Sequence, residues 1–121
     1  MTEIRLKRVY DPPSRADGHR ILVDRLWPRG LTKEAARVHV WARDAAPSAQ
    51  LRKSFCHDPA KWDTFRTRYF RELDANPEAL ATLRQALSAK RVTLLYGARD
   101  TEHNNAVALR EYLTRDLKKR A

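Results

Sequence analysis

The chain has 121 residues, a length that suits one domain, residues 1–121, with its own hydrophobic core. Its single cysteine excludes an internal disulfide framework and a structural zinc site of cysteine ligands, and the absence of a membrane-length apolar run or a signal-peptide pattern predicts a cytoplasmic protein with no membrane partner. The formal net charge of +10, from 25 Lys and Arg against 15 Asp and Glu, favours anionic partners such as phosphorylated ligands or nucleic acid.

The N-terminal part of the chain predicts two strands. The stretch EIRLKRVY, residues 3–10, alternates apolar and basic residues with the period of a half-buried strand. Residues 11–19 contain two prolines and an Asp-Gly pair and predict a loop without regular structure. The apolar run at residues 21–23 predicts a second strand covered on both faces. Because this loop is short for a parallel crossover, the relative direction of the two strands stays open.

The middle of the chain predicts helices that begin at capping residues. Thr32 precedes a short helix, and Ser48 precedes another that carries Leu51 and Phe55. Asp58-Pro59 and Asn76-Pro77 each combine a cap with a proline at the first helical position. The apolar residues that follow predict a helical hairpin with one buried face per helix, formed by Trp62, Phe65, Tyr69 and Leu73, then Leu80, Leu83 and Leu87.

The C-terminal part predicts a third strand and a last helix. The strand is VTLLY, residues 92–96, and Asp100 or Thr101 would cap the helix, which places His103 and Asn104 in its first turn. The predicted fold is therefore α/β, with a small three-stranded, mainly parallel sheet flanked by helices. The helical hairpin is inserted between strands 2 and 3.

Polar residues follow each predicted strand. Ligands of open α/β sheets bind outside the carboxyl ends of the strands, beside helix N-termini. We therefore expect these residues to meet at one site. They are Tyr10 after the first strand, then Asp24, Arg25, Trp27 and Arg29 after the second, and Tyr96, Asp100, His103 and Asn104 at and after the end of the third.

The residue types suggest roles within such a site. Arg25 and Arg29 flank a Trp-Pro pair, and forked donors on a stiff turn suit phosphate or carboxylate. If the protein is an enzyme, Asp24 and His103 would transfer protons and Asn104 would orient the substrate. The structural alternatives are an ion pair for Asp24 and Arg25, helix caps for Asp100 and Asn104, and a packed lid for Trp27.

The segment Cys56-His57-Asp58 contains residue types found in nucleophilic triads. Neighbours in sequence rarely face one another as a triad requires, so we expect Cys56 to be a buried thiol at a helix end. His57 is a further ligand-binding candidate, and whether it shares a site with His103 stays open. No HExxH-type spacing links the histidines to carboxylates, so no metal and no cofactor is expected. Trp41 is expected in the core, with Asp44 and Ser48 at the rim of the pocket.

Much of the chain resembles a known family. The segments LVDRLWPRG, HDP, TLLY and HNNA, in this order between Val9 and Leu113, look like the YeaO-like branch of a large bacterial family of unknown function. A glycine usually precedes the histidine in that family, where this chain has Cys56. The resemblance implies no established activity. Through more distant relatives it implies one site with two sides, namely Asp24, Arg25 and Pro28 on one and Asp100, His103 and Asn104 on the other.

Two functions of different classes follow from the sequence. The first is binding of an anionic small molecule that carries phosphate or carboxylate, or of a nucleotide, in a basic pocket at the carboxyl ends of the strands. Acid-base catalysis by Asp and His is an open extension of it. The alternative is a nucleic-acid-binding module that uses surface arginines. A scaffold for a protein partner would instead show an exposed apolar patch.

Overall fold

All strand pairs of the sheet are parallel. A computed structural model describes residues 2–120, and within them β1 (Glu3–Arg8), β2 (His19–Leu22), β3 (Val40–Trp41) and β4 (Arg91–Tyr96) form a four-stranded sheet in the order β1-β4-β2-β3. Because β1 and β2 both pair with β4 in parallel, the open question of their direction is answered. The predicted parallel α/β architecture is confirmed, but the predicted number of strands is wrong. The additional strand, β3, has two residues and is too short to show a strand period.

The connection from β1 to β2 passes over β4. It contains a single 3-10 turn, Arg15–Asp17, so the prediction of no regular structure in this loop misses that turn. The hydroxyl of Thr93 in β4 donates to the Asp17 carbonyl oxygen at 2.7 Å. Gly18 has a φ of +64°, and a Cβ there would lie 2.4 Å from the Arg91 carbonyl oxygen. Glycine therefore lets the crossover approach the sheet closely enough to be short.

The helices begin largely where the sequence predicts. They are α1 (Lys33–Ala36), α2 (Ala49–Phe55), α3 (Trp62–Asp74), α4 (Pro77–Ala86) and α5 (Asn105–Arg120). The side chains of Thr32, Ser48 and Asn76 accept first-turn backbone N–H groups, as expected for caps. Asp58 caps a 3-10 turn, Pro59–Lys61, that leads into α3. The predicted hairpin of α3 and α4 forms between β2 and β4, which are the second and third predicted strands, and the additional strand β3 precedes it. Within residues 2–120, no helix has the length and apolar character needed to cross a membrane.

The start of α5 differs from the prediction. Asn104 occupies the cap, and its Oδ1 accepts the Val107 N–H at 3.0 Å. Asp100 closes the preceding turn, where its Oδ1 accepts two backbone N–H groups at 2.8 and 3.0 Å. His103 and Asn104 therefore precede the helix. The prediction is wrong because Asp, Thr and Asn are all capping types, and the six residues 100–105 contain four of them.

Alternating residues of β2 and β4 enter two apolar layers on opposite faces of the sheet. Ile21 and Leu94 belong to the larger layer, which includes α2 to α5. Leu22 and Leu95 belong to a smaller layer with Ala36 of α1. The buried ion pair of Asp17 and Arg20 lies at residues of the crossover and β2. The predicted double coverage of the second strand is thus confirmed.

Two residues expected in the core lie at the surface. Trp41 is 38% exposed because β3 is an edge strand. Cys56 is exposed at the C-cap of α2, where its φ of 49° lies in the left-handed region. This conformation favours glycine, the residue that the resemblance to the YeaO-like branch implies at this position.

Candidate functional site

A cleft of about 650 Å³ opens at the carboxyl ends of β2 and β4. Its walls come from the loops that follow these strands, from α2 and the turn after it, from α3, and from the start of α5. The apolar lining is Leu26, Pro47, Phe55, Phe65 and Ala98. The remaining lining is Asp24, Arg25, Arg29, Arg52, His57, Gly97, His103, Asn104 and Asn105.

The pairing of β2 with β4 brings the two main loops together. The Val23 N–H donates to the Leu95 carbonyl oxygen at 3.1 Å, one residue beyond the end of β2. Asp24 and Gly97 consequently face each other, and the Gly97 N–H donates to Asp24 Oδ2 at 2.8 Å. A Cβ on Gly97 would lie 3.2 Å from that oxygen, so a larger residue would crowd the carboxylate.

Asp24 is the acidic residue of this cleft lining, and both its carboxylate oxygens accept hydrogen bonds. Oδ1 accepts from Asn105 Nδ2 at 3.0 Å, and the same nitrogen donates to the Val23 carbonyl oxygen at 2.9 Å. Burial raises the pKa of Asp24, and the bonds from Asn105 and Gly97 and the nearby Arg52 partly oppose that rise. The group is therefore a fixed, desolvated acid whose geometry is set by two donors.

The three arginines of the cleft differ in their contacts with the rest of the protein. Arg25 donates to the carbonyl oxygens of Ala46 and Pro47 at 3.2 and 3.4 Å and so supports the loop before α2. Arg29 and Arg52 are exposed, and their guanidinium groups make no hydrogen bond or ion pair with the described residues. Two unpaired guanidinium forks therefore face one cleft, an arrangement that suits a phosphate or carboxylate.

The two histidines line the same cleft, which answers whether they share a site. His103 Nδ1 lies 3.0 Å from Asp100 Oδ2. Backbone N–H groups lower the pKa of Asp100, so its carboxylate accepts and Nδ1 is the donor. Nε2 is then the nitrogen of His103 that is left to bind a ligand or take a proton. His57 is exposed on the turn after α2.

Four predicted ligand-binding residues do not line the cleft. Trp27 donates to the Leu31 carbonyl oxygen at 2.7 Å and packs in the smaller apolar layer. This agrees with the structural alternative of a packed lid. Tyr96 is 3% exposed in the larger layer, where burial raises its pKa. Asp100 supports His103. Tyr10 lies nearby, and its hydroxyl donates to the Arg29 carbonyl oxygen at 3.2 Å.

The six other predicted site residues, Asp24, Arg25, Arg29, His57, His103 and Asn104, all line the cleft. Asn104 is 3% exposed and uses its side chain to cap α5 and bind the Asp100 carbonyl oxygen. Sequence reasoning missed Arg52, which no motif distinguishes from other surface arginines. Asn105, which holds Asp24, was likewise not among the predicted site residues. Among residues 2–120, no three His, Cys, Asp or Glu side chains are grouped as metal ligands.

Sequence comparisons match this chain to one protein family and to several uncharacterized proteins. The family model described as the inactive DUF488-N3 subclade matches residues 3–121. "Uncharacterized protein YeaO" of Escherichia coli K12 is 41% identical over 110 residues, which cover 91% of this chain and 96% of that protein. "Uncharacterized protein Mb3100c" of Mycobacterium bovis is 39% identical over 112 residues, which cover 93% and 94% of the two chains. No solved structure matches the chain.

Proposed function

Because the chain belongs to the inactive DUF488-N3 subclade, we propose that it binds an anionic small molecule in the basic cleft and catalyses no reaction on it. The observation that carries this proposal is the distribution of charge among the lining residues. Arg29 and Arg52 are cations without partners among the described residues, whereas both oxygens of Asp24 are already occupied. The lining thus carries three arginines against one carboxylate, and this excess of positive charge attracts an anion.

The contacts of Asp24 and His103 favour binding over catalysis. The hydrogen bonds from Gly97 and Asn105 stabilise the charged form of Asp24 and so make it a weaker general base than burial alone would. His103 keeps Nε2 available, but one such nitrogen serves equally to accept a hydrogen bond from a ligand. The description of the family as inactive supports the same conclusion.

The apolar part of the wall favours a nucleotide among anionic ligands. Phe55, Phe65 and Leu26 line the same cleft as the arginines. A volume of about 650 Å³ falls within the range of small-molecule sites. A molecule with a planar ring beside a phosphate would satisfy both kinds of surface.

A thermal-shift screen tests the proposal with inorganic phosphate, nucleoside monophosphates, sugar phosphates and small dicarboxylates. A ligand at one hundred times its Kd adds about 2.7 kcal/mol to the free energy of unfolding, so Tm must rise. The variant R29A/R52A should lose that rise. The control K53A/R71A removes the same charge from exposed positions outside the cleft, one of them adjacent to Arg52 on α2, and should keep it.

Each result of the screen decides the proposal. A shift that only one class of anion produces, that R29A/R52A abolishes and that the control retains supports it. A shift that both double variants lose equally shows a response to net charge alone and refutes a specific site. No shift with any anion also refutes it. Arg25 is unsuitable for this test, because its loss would disturb the loop at residues 46–47.

A nucleic-acid-binding surface is the second candidate, and one groove favours it. The groove between α3 and α5 is lined by Arg66, Arg110, Arg115 and Lys118. Glu111 pairs with Arg66 and Arg115, which leaves Arg110 and Lys118 without a carboxylate partner among the described residues. Binding of duplex DNA that falls steeply with salt and is weakened by R110A/K118A, but not by R29A/R52A, would favour this candidate over the cleft.

A further inference from the structure

A second cleft, of about 520 Å³, adjoins the first, and Arg25 lines both. We infer that the two clefts together bind a pair of nucleosides joined through phosphate, with the base of the second nucleoside against Trp41. The inference rests on the proposed function and extends it, because it names the ligand class and assigns a role to a cleft outside the site described above.

Arg25 is suited to hold the linking phosphate. Its Nε and Nη2 donate to the Pro47 and Ala46 carbonyl oxygens at 3.4 and 3.2 Å, which fix the guanidinium at the boundary of the two clefts. Its Nη1 makes no hydrogen bond with any described residue. A charged donor held in place between two cavities suits an anionic group that joins two larger parts of one ligand.

Trp41 provides a fixed planar surface in the second cleft. Its Nε1 donates to the Asp24 carbonyl oxygen at 2.8 Å, and the Trp27 ring meets it edge-on at 5.4 Å between centroids. The Arg43 guanidinium carbon lies 5.5 Å from the centre of the Trp41 ring. The guanidinium therefore lies over the indole, and a nucleic-acid base would stack in its place or on its outer plane, because both groups attract an aromatic face.

The first cleft has an excess of positive charge and the second has none, which suits a ligand with phosphate in the first cleft and an uncharged base in the second. The first cleft carries three arginines against Asp24. The second has Arg25 and Arg43 opposed by the exposed carboxylates of Asp44 and Glu78, so its formal charge is balanced. A second phosphate would gain little there. Carboxylate oxygens instead accept hydrogen bonds from the amino groups of adenine or cytosine, so the second cleft suits an amino-bearing base.

Thr82 allows the second cleft to be blocked without disturbing Trp41. It lies on the exposed side of α4 at the cleft, and its hydroxyl donates to the carbonyl oxygen four residues earlier at 3.3 Å. Thr67 on α3 is a matched control, since it is exposed, makes the same kind of bond at 3.0 Å and lines neither cleft. T82W should fill the second cleft, and T67W should make an equivalent change elsewhere.

Isothermal titration calorimetry tests the inference with AMP, with the 5′-phosphorylated adenosine dinucleotide and with the uridine dinucleotide, in which uridine replaces only the second adenosine. The adenosine dinucleotide should bind about tenfold tighter than AMP to the unmodified chain and to T67W, a gain typical of one stacked base. T82W should lose this gain and keep its affinity for AMP. The uridine dinucleotide should gain less, because uracil has no amino group.

The failures of the two proposals are distinguishable. If AMP binds and the dinucleotide binds no tighter, or if T82W keeps the full gain, the inference is overturned while the proposed function stands. If none of the three ligands binds, both nucleotide proposals fail. A single-stranded RNA octamer separates the two sources of the ligand. A further large gain over the dinucleotide indicates a nucleic-acid strand, and equal affinity indicates a free dinucleotide.

Discussion

Replacement of Asn105 by alanine should destabilise the protein in a way that depends on pH. The Asn105 side chain donates to the Val23 carbonyl oxygen at 2.9 Å and to Asp24 Oδ1 at 3.0 Å. A bond to a charged acceptor contributes about 1.5–3 kcal/mol and a neutral one about 0.5–1.5 kcal/mol. N105A should therefore lower the free energy of unfolding by about 2–4 kcal/mol at a pH at which Asp24 is ionised in the folded protein.

The pH dependence follows from the pKa of Asp24. Burial raises this pKa above that of the unfolded chain, so the stability associated with the bound proton is lost as pH rises through the folded pKa. The Asn105 bond opposes the rise, so N105A raises the folded pKa further. The folded pKa of Asp24 is lower in the unmodified chain than in N105A. As pH rises between these two values, N105A should lose about 1.4 kcal/mol of stability per pH unit relative to the unmodified chain.

Urea unfolding from pH 4 to pH 8 measures this effect, and N104A is its control. Asn104 also makes hydrogen bonds to the Asp100 carbonyl oxygen and from the Val107 N–H, neither of which titrates, and its contact with Tyr96 involves a phenol whose raised pKa lies above this pH range. N104A should therefore cost a similar amount at every pH in this range. If the loss in N105A is as independent of pH as the loss in N104A, Asp24 is not held as the hydrogen bonds indicate.

Three further changes have expected outcomes in urea unfolding. G18A should destabilise strongly or prevent folding, since its Cβ would lie 2.4 Å from the Arg91 carbonyl oxygen at a φ of +64°; a loss below about 1 kcal/mol would contradict this contact. R25A should cost about 1–2 kcal/mol without any ligand, because two carbonyl oxygens at residues 46–47 lose their donor; an unchanged midpoint would show that Arg25 does not support that loop. C56G should stabilise by about 0.5–1 kcal/mol, measured in reducing buffer, because residue 56 has a φ of 49°; destabilisation would mean that the thiol makes a favourable contact.

Local chemistry explains which parts of the fold the sequence predicts well. Caps such as Ser48 and Asn76 bind N–H groups three residues away, so their effect is visible in a short segment. β3 has no such signal, because a two-residue strand exists only through its pairing with β2. The exposure of Trp41 depends on β3 being an edge strand, which the sequence does not show. Trp41 was therefore expected in the core. The resemblance to the YeaO-like branch, in contrast, is confirmed over nearly the whole chain.

The same distinction between local and long-range information explains which site residues the sequence predicts. Polar residues after β2 and β4 meet because parallel neighbours end at one edge of the sheet, and this rule needs only the order of the elements. Arg52 reaches the cleft because α2 packs beside that edge, which no pattern around residue 52 indicates. Polar neighbours in the sequence suggested that Trp27 and Tyr96 bind a ligand. Both side chains are apolar enough to be core residues, and they pack into the apolar layers instead.

The net charge of +10 indicates a function only through the arginines that are left without partners. Arg20 pairs with a buried carboxylate, and Arg84 makes two hydrogen bonds to Asp116 at 2.8 and 3.0 Å. Such groups have their donors directed at the protein and add little to the binding of an external anion. Arg29 and Arg52 have theirs directed at no described residue and face one cleft. The affinity for an anion should therefore depend on these two side chains far more than on the total charge, which is why a double variant with a charge-matched control is the decisive comparison.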